Sequence, residues 1–551
     1  MIKRVIFCLL FALLFLTACL SNGGSVEKTV GEEEEKPEKL VVYLNASSHT
    51  FVSQESGKEV FTYYPSTYSL GTMPTGGEFD SLRGNIFEQA LAEYAEQTGI
   101  PIEVHYVEEY VGDSDVFQVM LDHGEPLPDL MVLTKAARYD YTLLAQQGYL
   151  LDFTPYAESD ETLQDGERYY QAVLDGGRIK QKQYTLPILF NLNGIITSQS
   201  FLDYVGAAQP GEYPAYEEVL QMLYQSCLGV KDNRTLEALY EYSGWMPAGR
   251  YIPSILLGAA YPSYEDEVSG KVYLESATLQ SILDVMQAYN EQEFAPIPGW
   301  ETNSYMENSN HSLGKTFMMQ RTAEDAERVG VFLSGGRSGG SVLHNSLLMD
   351  LAFFNSVYDR QGEQLVFCGI RTINRSDEYA ANISLCALGA ATTEYPQAVY
   401  ELARYLMDYT YAPGYGFSVN REITDAQLEN MQTTTTHVFP NHVWSQVTGN
   451  FRSYEEVEQE SFEVQPLDQE WVEKIRFMLD HMAGAGLPSG VLEYYLLSYA
   501  QTAVGSGELT SAEGAQWVLS QWEQYQQMRP ELEPFYDKEY VLSLLWAPAD
   551  S

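Results

Sequence analysis

An alternation of strand and helix patterns near the start of the chain constrains its fold most. KLVVYLN at residues 39–45 and LPDLMVL at 127–133 are apolar runs of strand length, and IPIEVHYVE at 100–108 alternates with a period of two. Between the runs at 39–45 and 100–108, residues 85–99 place apolar side chains at helical spacing and end at a glycine. A second helix is expected around residues 116–123. This order predicts an α/β fold with an open parallel sheet, in which ligands bind at the carboxyl ends of the strands.

The first eighteen residues have the pattern of a secretory signal. Lys3 and Arg4 supply a positive end, residues 5–16 are apolar, and small residues precede Cys19. The stretch Leu-Thr-Ala-Cys resembles the lipobox of bacterial lipoproteins, which implies cleavage before Cys19 and lipid on its thiol. The alternative is an ordinary signal peptide followed by an incidental cysteine. The resemblance places the protein outside the cytoplasm, anchored at the outer face of the cell membrane.

Composition limits the class of partner. The chain has a formal net charge of −46, which repels nucleic acid and anionic membrane surfaces, so a neutral or cationic solute is expected. Residues 19–38 include four consecutive glutamates and bury too little apolar surface to fold, so they form a flexible linker behind the anchor. Beyond the signal and Cys19 there remain Cys227, Cys368 and Cys386, an odd number that favours buried free thiols over one disulfide bond.

Several later segments follow one another in a recognisable order. The earlier ones are GEPLPDLMVL, LLAQQGYLLDFTPY (143–156), QYTLPILFNLNGIITSQSFL (183–202) and PAYEEVLQML (214–223). The later ones lie at 264–291, 329–341, 383–407, 416–422 and 510–528. In this order and spacing the chain resembles the extracellular solute-binding proteins of ABC importers, family 1, of the carbohydrate type.

That resemblance implies a two-lobe α/β fold of the periplasmic-binding-protein type II, with a ligand cleft between the lobes. The first lobe would comprise residues 39–193 and 383–414, and the second residues 194–382 and 415–551. The chain would cross between them near Leu192 and Asn193 and again near Leu385 and Cys386, and the crossings would act as a hinge. The implied partners are a small solute and the transmembrane subunits of an ABC permease, and the protein would be a monomer.

Two segments depart from the family pattern. Residues 47–82, rich in Tyr, Thr, Ser and Gly, and residues 431–466 show neither a helical nor a strand period. Both are therefore predicted to be irregular loops.

The candidate ligand-binding residues are polar or aromatic side chains at strand ends, at the crossings and in turns. They are Asn45, Ser47, Ser48, Thr134, Asn191, Asn193, Trp245, Arg250, Trp300, Arg337 and Tyr415. Aromatic rings suit the C–H faces of sugars, and the polar groups suit their hydroxyls. For each residue the alternative is a structural role, as a helix cap, a satisfied turn or a buried ring. Trp471, Trp517, Trp522 and Trp546 lie in amphipathic helical runs instead, and core packing is expected for them.

Enzyme signatures are scarce in the sequence. There is no H-E-x-x-H and no cysteine pair spaced for zinc, and the one match to G-x-S-x-G, at residues 336–340, lies in the glycine-rich run that contains Arg337. We therefore expect a binding protein without catalytic residues, metal or cofactor. A receptor for a non-sugar solute, or one that reports to a sensor kinase, is the alternative within this fold, and a surface glycan hydrolase is the alternative of another class.

Overall fold

The structure is a computed structural model. It describes residues 36–45, 49–53, 59–63, 79–83, 86–107, 127–134, 141–192, 194–199, 202–203, 206–232, 275–289, 351–352, 355–356, 359, 364–372, 375–411, 416–438, 461–486 and 496–528. The chain divides into the units Met1–Lys36 and Pro37–Ser551, and every helix and strand below belongs to the second unit. The second helix predicted around 116–123 lies outside the described residues.

The strands of the described part, in chain order, are β1 (Leu40–Asn45), β2 (His49–Ser53), β3 (Glu59–Tyr63), β4 (Phe79–Arg83), β5 (Ile102–Val107), β6 (Leu130–Thr134), β7 (Arg178–Ile179), β8 (Lys182–Gln183), β9 (Thr185–Leu192), β10 (Gly194–Ser198), β11 (Leu365–Gly369), β12 (Arg371–Thr372), β13 (Arg375–Gly389), β14 (Phe417–Ser418), β15 (Thr435–Val438), β16 (Ser461–Val464) and β17 (Met482–Gly486). The helices are α1 (Ile86–Thr98), α2 (Tyr141–Gln146), α3 (Thr154–Ser159), α4 (Gln171–Asp175), α5 (Tyr216–Asp232), α6 (Ser276–Tyr289), α7 (Pro396–Met407), α8 (Arg421–Asn430), α9 (Gln469–Asp480), α10 (Ser498–Gly505) and α11 (Ser511–Met528).

The beginning of the fold is the predicted parallel sheet. β1 pairs in parallel with β5 on one side and with β6 on the other. Between β1 and β5 the chain forms β2, β3, β4 and then α1. The buried residues of α1, which are Phe87, Ala90, Leu91 and Tyr94, recur at helical spacing. Gly99, with φ +64°, ends that helix in the left-handed conformation that glycine adopts without strain. The α/β class and the first strands predicted from the sequence are confirmed.

The central sheet becomes mixed beyond β6. Its order is β14-β9-β13-β6-β1-β5, and β12 and β17 pair with β13 in addition. β13 is antiparallel to both β6 and β9, so β9 runs in the same direction as β1 and β6. β9 is buried along its whole length, which is typical of a strand covered on both faces.

The carboxylate of Asp129 joins three segments at the start of β6. Its Oδ2 accepts a hydrogen bond from the backbone N–H of Val41, at 2.8 Å, and its Oδ1 accepts one from Thr393 Oγ1, at 2.7 Å. The LPDL motif therefore fixes β6 against β1 and against the turn that precedes α7.

Two segments that the sequence predicts to be loops contain strands, so that prediction is wrong for them. β2 pairs with β3 and with β4 to form a three-stranded antiparallel sheet over residues 49–83, which takes up most of the segment 47–82. β15 pairs with β16 within residues 431–466. β-branched and aromatic side chains favour these strands, and short antiparallel strands form by pairing with each other without a long alternating pattern.

A helical layer completes the described part. α6 packs against α5, α10 and α11, and Ser511 at the start of α11 hydrogen-bonds to Asp284. Trp522 is buried, and Trp471 and Trp517 are partly buried against the core, as predicted, whereas Trp546 lies outside the described residues.

Two further features of the described part concern its cysteines and its helices. Cys368 and Cys386 are buried free thiols, as expected. Among the helices that the structure describes, none combines the length and the apolar character that a membrane crossing requires.

Candidate functional site

Three of the candidate residues come together at one edge of the central sheet. Asn45 ends β1, Thr134 ends β6, and Asn191 lies one residue before the end of β9. These strands run in the same direction, so their carboxyl ends share one edge. Neighbouring strands lie about 4.8 Å apart, so the three steps from β1 to β9 span about 14 Å.

Asn191 is the best defined of these residues. Its side chain is 2% exposed, and among the described contacts its Nδ2 has no hydrogen-bond partner. A buried donor without a partner costs about 1–3 kcal/mol of stability, because its hydration is lost and nothing replaces it. Such a group requires an explanation, which in native proteins is an ordered water, an ion, strain or a functional role.

Ser384 and Gly416 adjoin Asn191 and were not among the candidates. Ser384 lies in an irregularity of β13, where the register with β9 shifts between Ile383 and Leu385, and its Oγ is shielded and has no partner in the described part. Gly416, with φ +122°, approaches so closely that a Cβ there would lie 2.9 Å from Asn191 Oδ1 and 3.2 Å from Ser384 Oγ. No sequence pattern marks Ser384, since the bulge that selects it depends on pairing with a distant strand.

A cluster of three aromatic rings packs next to the end of β9. Phe190 lies between Tyr170, with ring centroids 5.4 Å apart, and Phe417, at 5.6 Å. The guanidinium of Arg421 lies 4.3 Å from the centroid of the Tyr170 ring. Burial raises the pKa of Tyr170 well above its ordinary value, so this phenol stays neutral. This aromatic cluster holds β9 and β14 together.

A network of charges lies beside the same strands. Arg404 donates from Nε to Asp160 Oδ2, at 2.8 Å, and from Nη2 to the hydroxyl of Tyr169, at 2.9 Å. Asp408 accepts from that hydroxyl, at 2.5 Å, and from Asn420 Nδ2, at 2.9 Å. The network therefore ties α7 and the residue before α8 to the turn that follows α3.

The pKa values in this network follow from its hydrogen bonds. Burial alone would raise the pKa of Asp160, but hydrogen bonds from Thr162, Arg404 and Tyr400 outweigh it and hold the pKa well below its usual range. Burial and the acceptor Asp408 raise the pKa of Tyr169 to about 12. Asp160 is thus ionised and Tyr169 is neutral at physiological pH, which suits a structural clamp.

The remaining candidates lie outside the described residues. They are Ser47, Ser48, Asn193, Trp245, Arg250, Trp300, Arg337 and Tyr415, together with the proposed lipid attachment site Cys19. Within the part of the chain that the structure describes, no three His, Cys, Asp or Glu side chains are grouped so that they could hold a metal ion.

Comparisons with known proteins give likenesses of structure. No family model matches the sequence, and no curated protein matches it. One similar solved structure is an extracellular solute-binding protein family 1 from Alicyclobacillus acidocaldarius, at 13% identity and a TM-score of 0.41, covering 92% of this chain and 100% of that chain. A second is an ABC transporter associated binding protein from B. animalis subsp. lactis in complex with beta-1,6-galactobiose, at 12% identity and a TM-score of 0.46, covering 89% and 98%.

A third is a de novo designed cysteine esterase, at 12% identity and a TM-score of 0.49, covering 90% of this chain and 99% of that one. At these identities the likeness concerns the course of the chain alone. The family named by the first of these structures, extracellular solute-binding protein family 1, is the family that the sequence motifs resemble.

Proposed function

We propose that this protein is a lipid-anchored extracellular solute-binding protein of an ABC importer, which captures a sugar or an oligosaccharide and delivers it to a permease without altering it. The observation that carries the proposal is the edge of the central sheet at which β1, β6 and β9 end. This is where α/β sheets bind ligands, and it holds the buried Nδ2 of Asn191, which has no hydrogen-bond partner among the described contacts.

Two changes of strand partner support the two-lobe arrangement. β9 ends in the central sheet at Leu192, and β10 begins at Gly194 as the antiparallel partner of β11. β13 pairs with β17 up to Asn382 and with β9 from Ile383 onward. The first change lies next to the crossing expected near Leu192 and Asn193, and the second lies a few residues before the one expected near Leu385 and Cys386. Extended crossings of this kind serve as hinges.

The proposed lobes are residues 39–193 with 383–414, and residues 194–382 with 415–551. β14 begins at Phe417 and pairs with β9, so the last crossing of the chain would follow Ser418 rather than precede residue 415. Closure of the lobes on a solute is a shift of population, which requires contacts that the ligand makes better in one state than in the other.

The anchor and the partners complete the proposal. Lipid on Cys19 holds the protein at the outer face of the cell membrane, and residues 20–38 let the lobes reach a permease. The acidic charge of the chain, −46, favours a neutral or cationic solute over an anionic one. The protein acts as a monomer and needs neither metal nor cofactor.

A screen of melting temperature tests this function. Purified protein is mixed with neutral mono- and disaccharides, amino acids and polyamines, each at millimolar concentration. A micromolar site gains about 4 kcal/mol under these conditions, which raises the melting temperature by several degrees. A rise with a sugar and no chemical change in that sugar is the expected result. Release of new reducing ends from a glycan would instead identify a hydrolase, and a rise with amino acids or polyamines alone would identify a receptor for another solute.

A further inference from the structure

The helices α8 and α9 run side by side in opposite directions and are joined by two reciprocal ion pairs. Arg476 of α9 pairs with Asp425 of α8, at 2.7 Å, and Arg421 at the start of α8 pairs with Asp480 at the end of α9, at 3.2 Å. Each helix thus supplies one arginine and one aspartate. The two backbones approach each other closely at few points, so long charged side chains span the gap between the helices.

The contacts of α8 fix it to the central sheet. Asn420, which caps the start of α8, donates from Nδ2 to Asp408 directly after α7, at 2.9 Å, and the backbone N–H of Arg421 donates to Arg168 O, at 2.9 Å. β14, which precedes α8, pairs with β9. Arg168, Asp408 and β9 all belong to the first proposed lobe, so α8 should move with that lobe.

The contacts of α9 fix it to a different set of elements. The ring of Trp471 lies 6.0 Å from that of Phe367 in β11, between ring centroids, and the ring of Phe477 lies 4.6 Å from that of Tyr213 before α5. β11 pairs with β10. These partners belong to the second proposed lobe, so α9 should move with that lobe instead.

The two ion pairs therefore lie at the boundary between the proposed lobes. The four side chains are 33–50% exposed. Ion pairs exposed to this degree contribute little to folding and are weakened by salt. A contact of that strength can break and form again when two bodies move against each other, whereas interdigitated apolar side chains would resist such movement.

We propose that the Arg421–Asp480 and Arg476–Asp425 ion pairs form a latch between the two lobes, which favours the described arrangement and opens when the lobes move. This inference rests on the proposed function and moves the last crossing of the chain from just after Ser418 to the chain between α8 and α9. The Arg421 guanidinium also lies 4.3 Å from the centroid of the Tyr170 ring in the first lobe. That contact retains the arginine when the bond to Asp480 breaks, so the latch can close again.

The experiment measures distances between spin labels on the mature chain carrying Cys19→Ser, without ligand. The labels are attached to cysteines introduced at three exposed positions by Ala426→Cys in α8, Glu96→Cys in α1 and Glu523→Cys in α11. The distance from α8 to α1 reports whether α8 stays with the first lobe, and the distance from α8 to α11 reports movement between the lobes. The same chain without the introduced cysteines supplies the background from the native thiols.

The critical variant is Arg476→Asp, which places two carboxylates opposite each other. We expect it to change the ratio of the populations in the distance from α8 to α11 about fivefold, and to leave the distance from α8 to α1 unchanged. The double variant Asp425→Arg with Arg476→Asp exchanges the two charges and should restore the wild-type distribution. Molar sodium chloride should shift the wild type in the same direction as Arg476→Asp, because it screens the pair.

Lys182→Asp is the matched control. The ion pair of Lys182 with Asp152 has the same length, 2.7 Å, and is also partly exposed, but both residues lie within the first proposed lobe. We therefore expect this variant to change neither distance.

Each other outcome contradicts a specific statement. An unchanged distance from α8 to α11 in Arg476→Asp, or a change that the double variant does not reverse, would refute the latch. A change in the distance from α8 to α1 with a constant distance to α11 would assign α8 to the second lobe and also refute it. A sugar that alters the distance to α11 when Arg476→Asp does not would refute the latch and leave the proposed function standing, whereas binding of no sugar would overturn the proposed function itself.

Discussion

At the scale of single residues, Arg404 supplies positive charge between the carboxylates of Asp160 and Asp408. Its side chain is 11% exposed and forms ion pairs with Asp160, at 2.8 Å, and with Asp408, at 3.7 Å. The hydroxyl of Tyr169 connects the same two partners by hydrogen bonds. In a chain so rich in acids, a shielded guanidinium between two carboxylates removes repulsion that would otherwise separate the segments.

Replacing Arg404 with methionine should destabilise the fold strongly. Arg404→Met keeps the length of the side chain but leaves the partly buried Asp160 without a counter-charge, whereas Asp408 keeps its ion pair with Arg168, at 3.0 Å. We expect a loss of about 2–4 kcal/mol in denaturant unfolding. The matched control is Arg476→Met, whose ion pair with Asp425 is about half exposed on both sides, and which should cost about 0–1 kcal/mol. Equal effects of the two substitutions would contradict the role assigned to Arg404.

The depressed pKa of Asp160 predicts how stability depends on pH. Because the folded-state pKa lies below the unfolded value of about 3.9, ionised Asp160 stabilises the protein above that pH, and the contribution is lost as the pH falls toward the folded-state pKa. Asp160→Asn should therefore lower the melting temperature by a constant amount at pH 5–8. The difference from the wild type should shrink below about pH 4. A difference that stayed the same down to pH 2.5 would rule out this origin.

At the scale of secondary-structure elements, β13 organises the described part of the central sheet. Its first half pairs with β12 and β17, and its second half pairs with β6 and β9. The register shifts near Leu385 bend the strand between these two sets of partners. β13 therefore lies between the strands β6 and β9 that end at the candidate site, and it also contains the segment proposed as a hinge.

The contact between α4 and β17 depends on a missing side chain. A Cβ on Gly176 would lie 2.1 Å from the backbone oxygen of Ala485, although the residue has a helical φ of −62° that any residue adopts. Gly176→Ala should therefore destabilise the protein by steric overlap alone, by about 1–3 kcal/mol in urea unfolding.

Gly211→Ala is the control for that substitution. Nothing lies within 4 Å of a Cβ at Gly211, so we expect no loss of stability there. A Gly176→Ala protein as stable as the Gly211→Ala protein would show that β17 moves away freely and that the contact is not a constraint.

At the scale of the whole molecule, the anchor and the solute-binding body have separate tasks. The proposed lipid on Cys19 determines where the protein resides, and residues 37–551 contain every element that the structure describes. Loss of the anchor should then change location without changing the binding of a solute.

Cys19→Ser tests this separation in cells of a bacterial host that processes lipoproteins. We expect the wild type to incorporate radioactive palmitate and to sediment with membranes, and the Cys19→Ser protein to lose both properties because the acceptor thiol is gone. The purified variant should melt at the same temperature as the mature wild-type body. Palmitate incorporation into the variant at the wild-type level would exclude Cys19 as the attachment site.

Local patterns predicted much of the first half of the sheet and little of the site. The buried face of α1 and the strands β1, β5 and β6 follow from periodicity. Asn45 and Thr134 were predicted as candidates because polar residues end such strands, and Asn191 because the resemblance implies a crossing there. β2, β3 and β4 were missed, since their stability comes from pairing with each other. The Arg404 network was also missed, because its members are spread over distant segments and look like ordinary surface charges in the sequence.

The sequence by itself determined the α/β class, the positions of the first strands, the secretory signal pattern before Cys19 and the strongly acidic charge, because periodicity, composition and short motifs are local properties of a chain. Only the tertiary structure decided that Asn191, Ser384 and Gly416 lie side by side with two polar atoms unpaired. The physical reason is that β9, β13 and β14 meet through a register set by burial of the whole sheet, and the bulge that aims Ser384 exists only once those strands are paired.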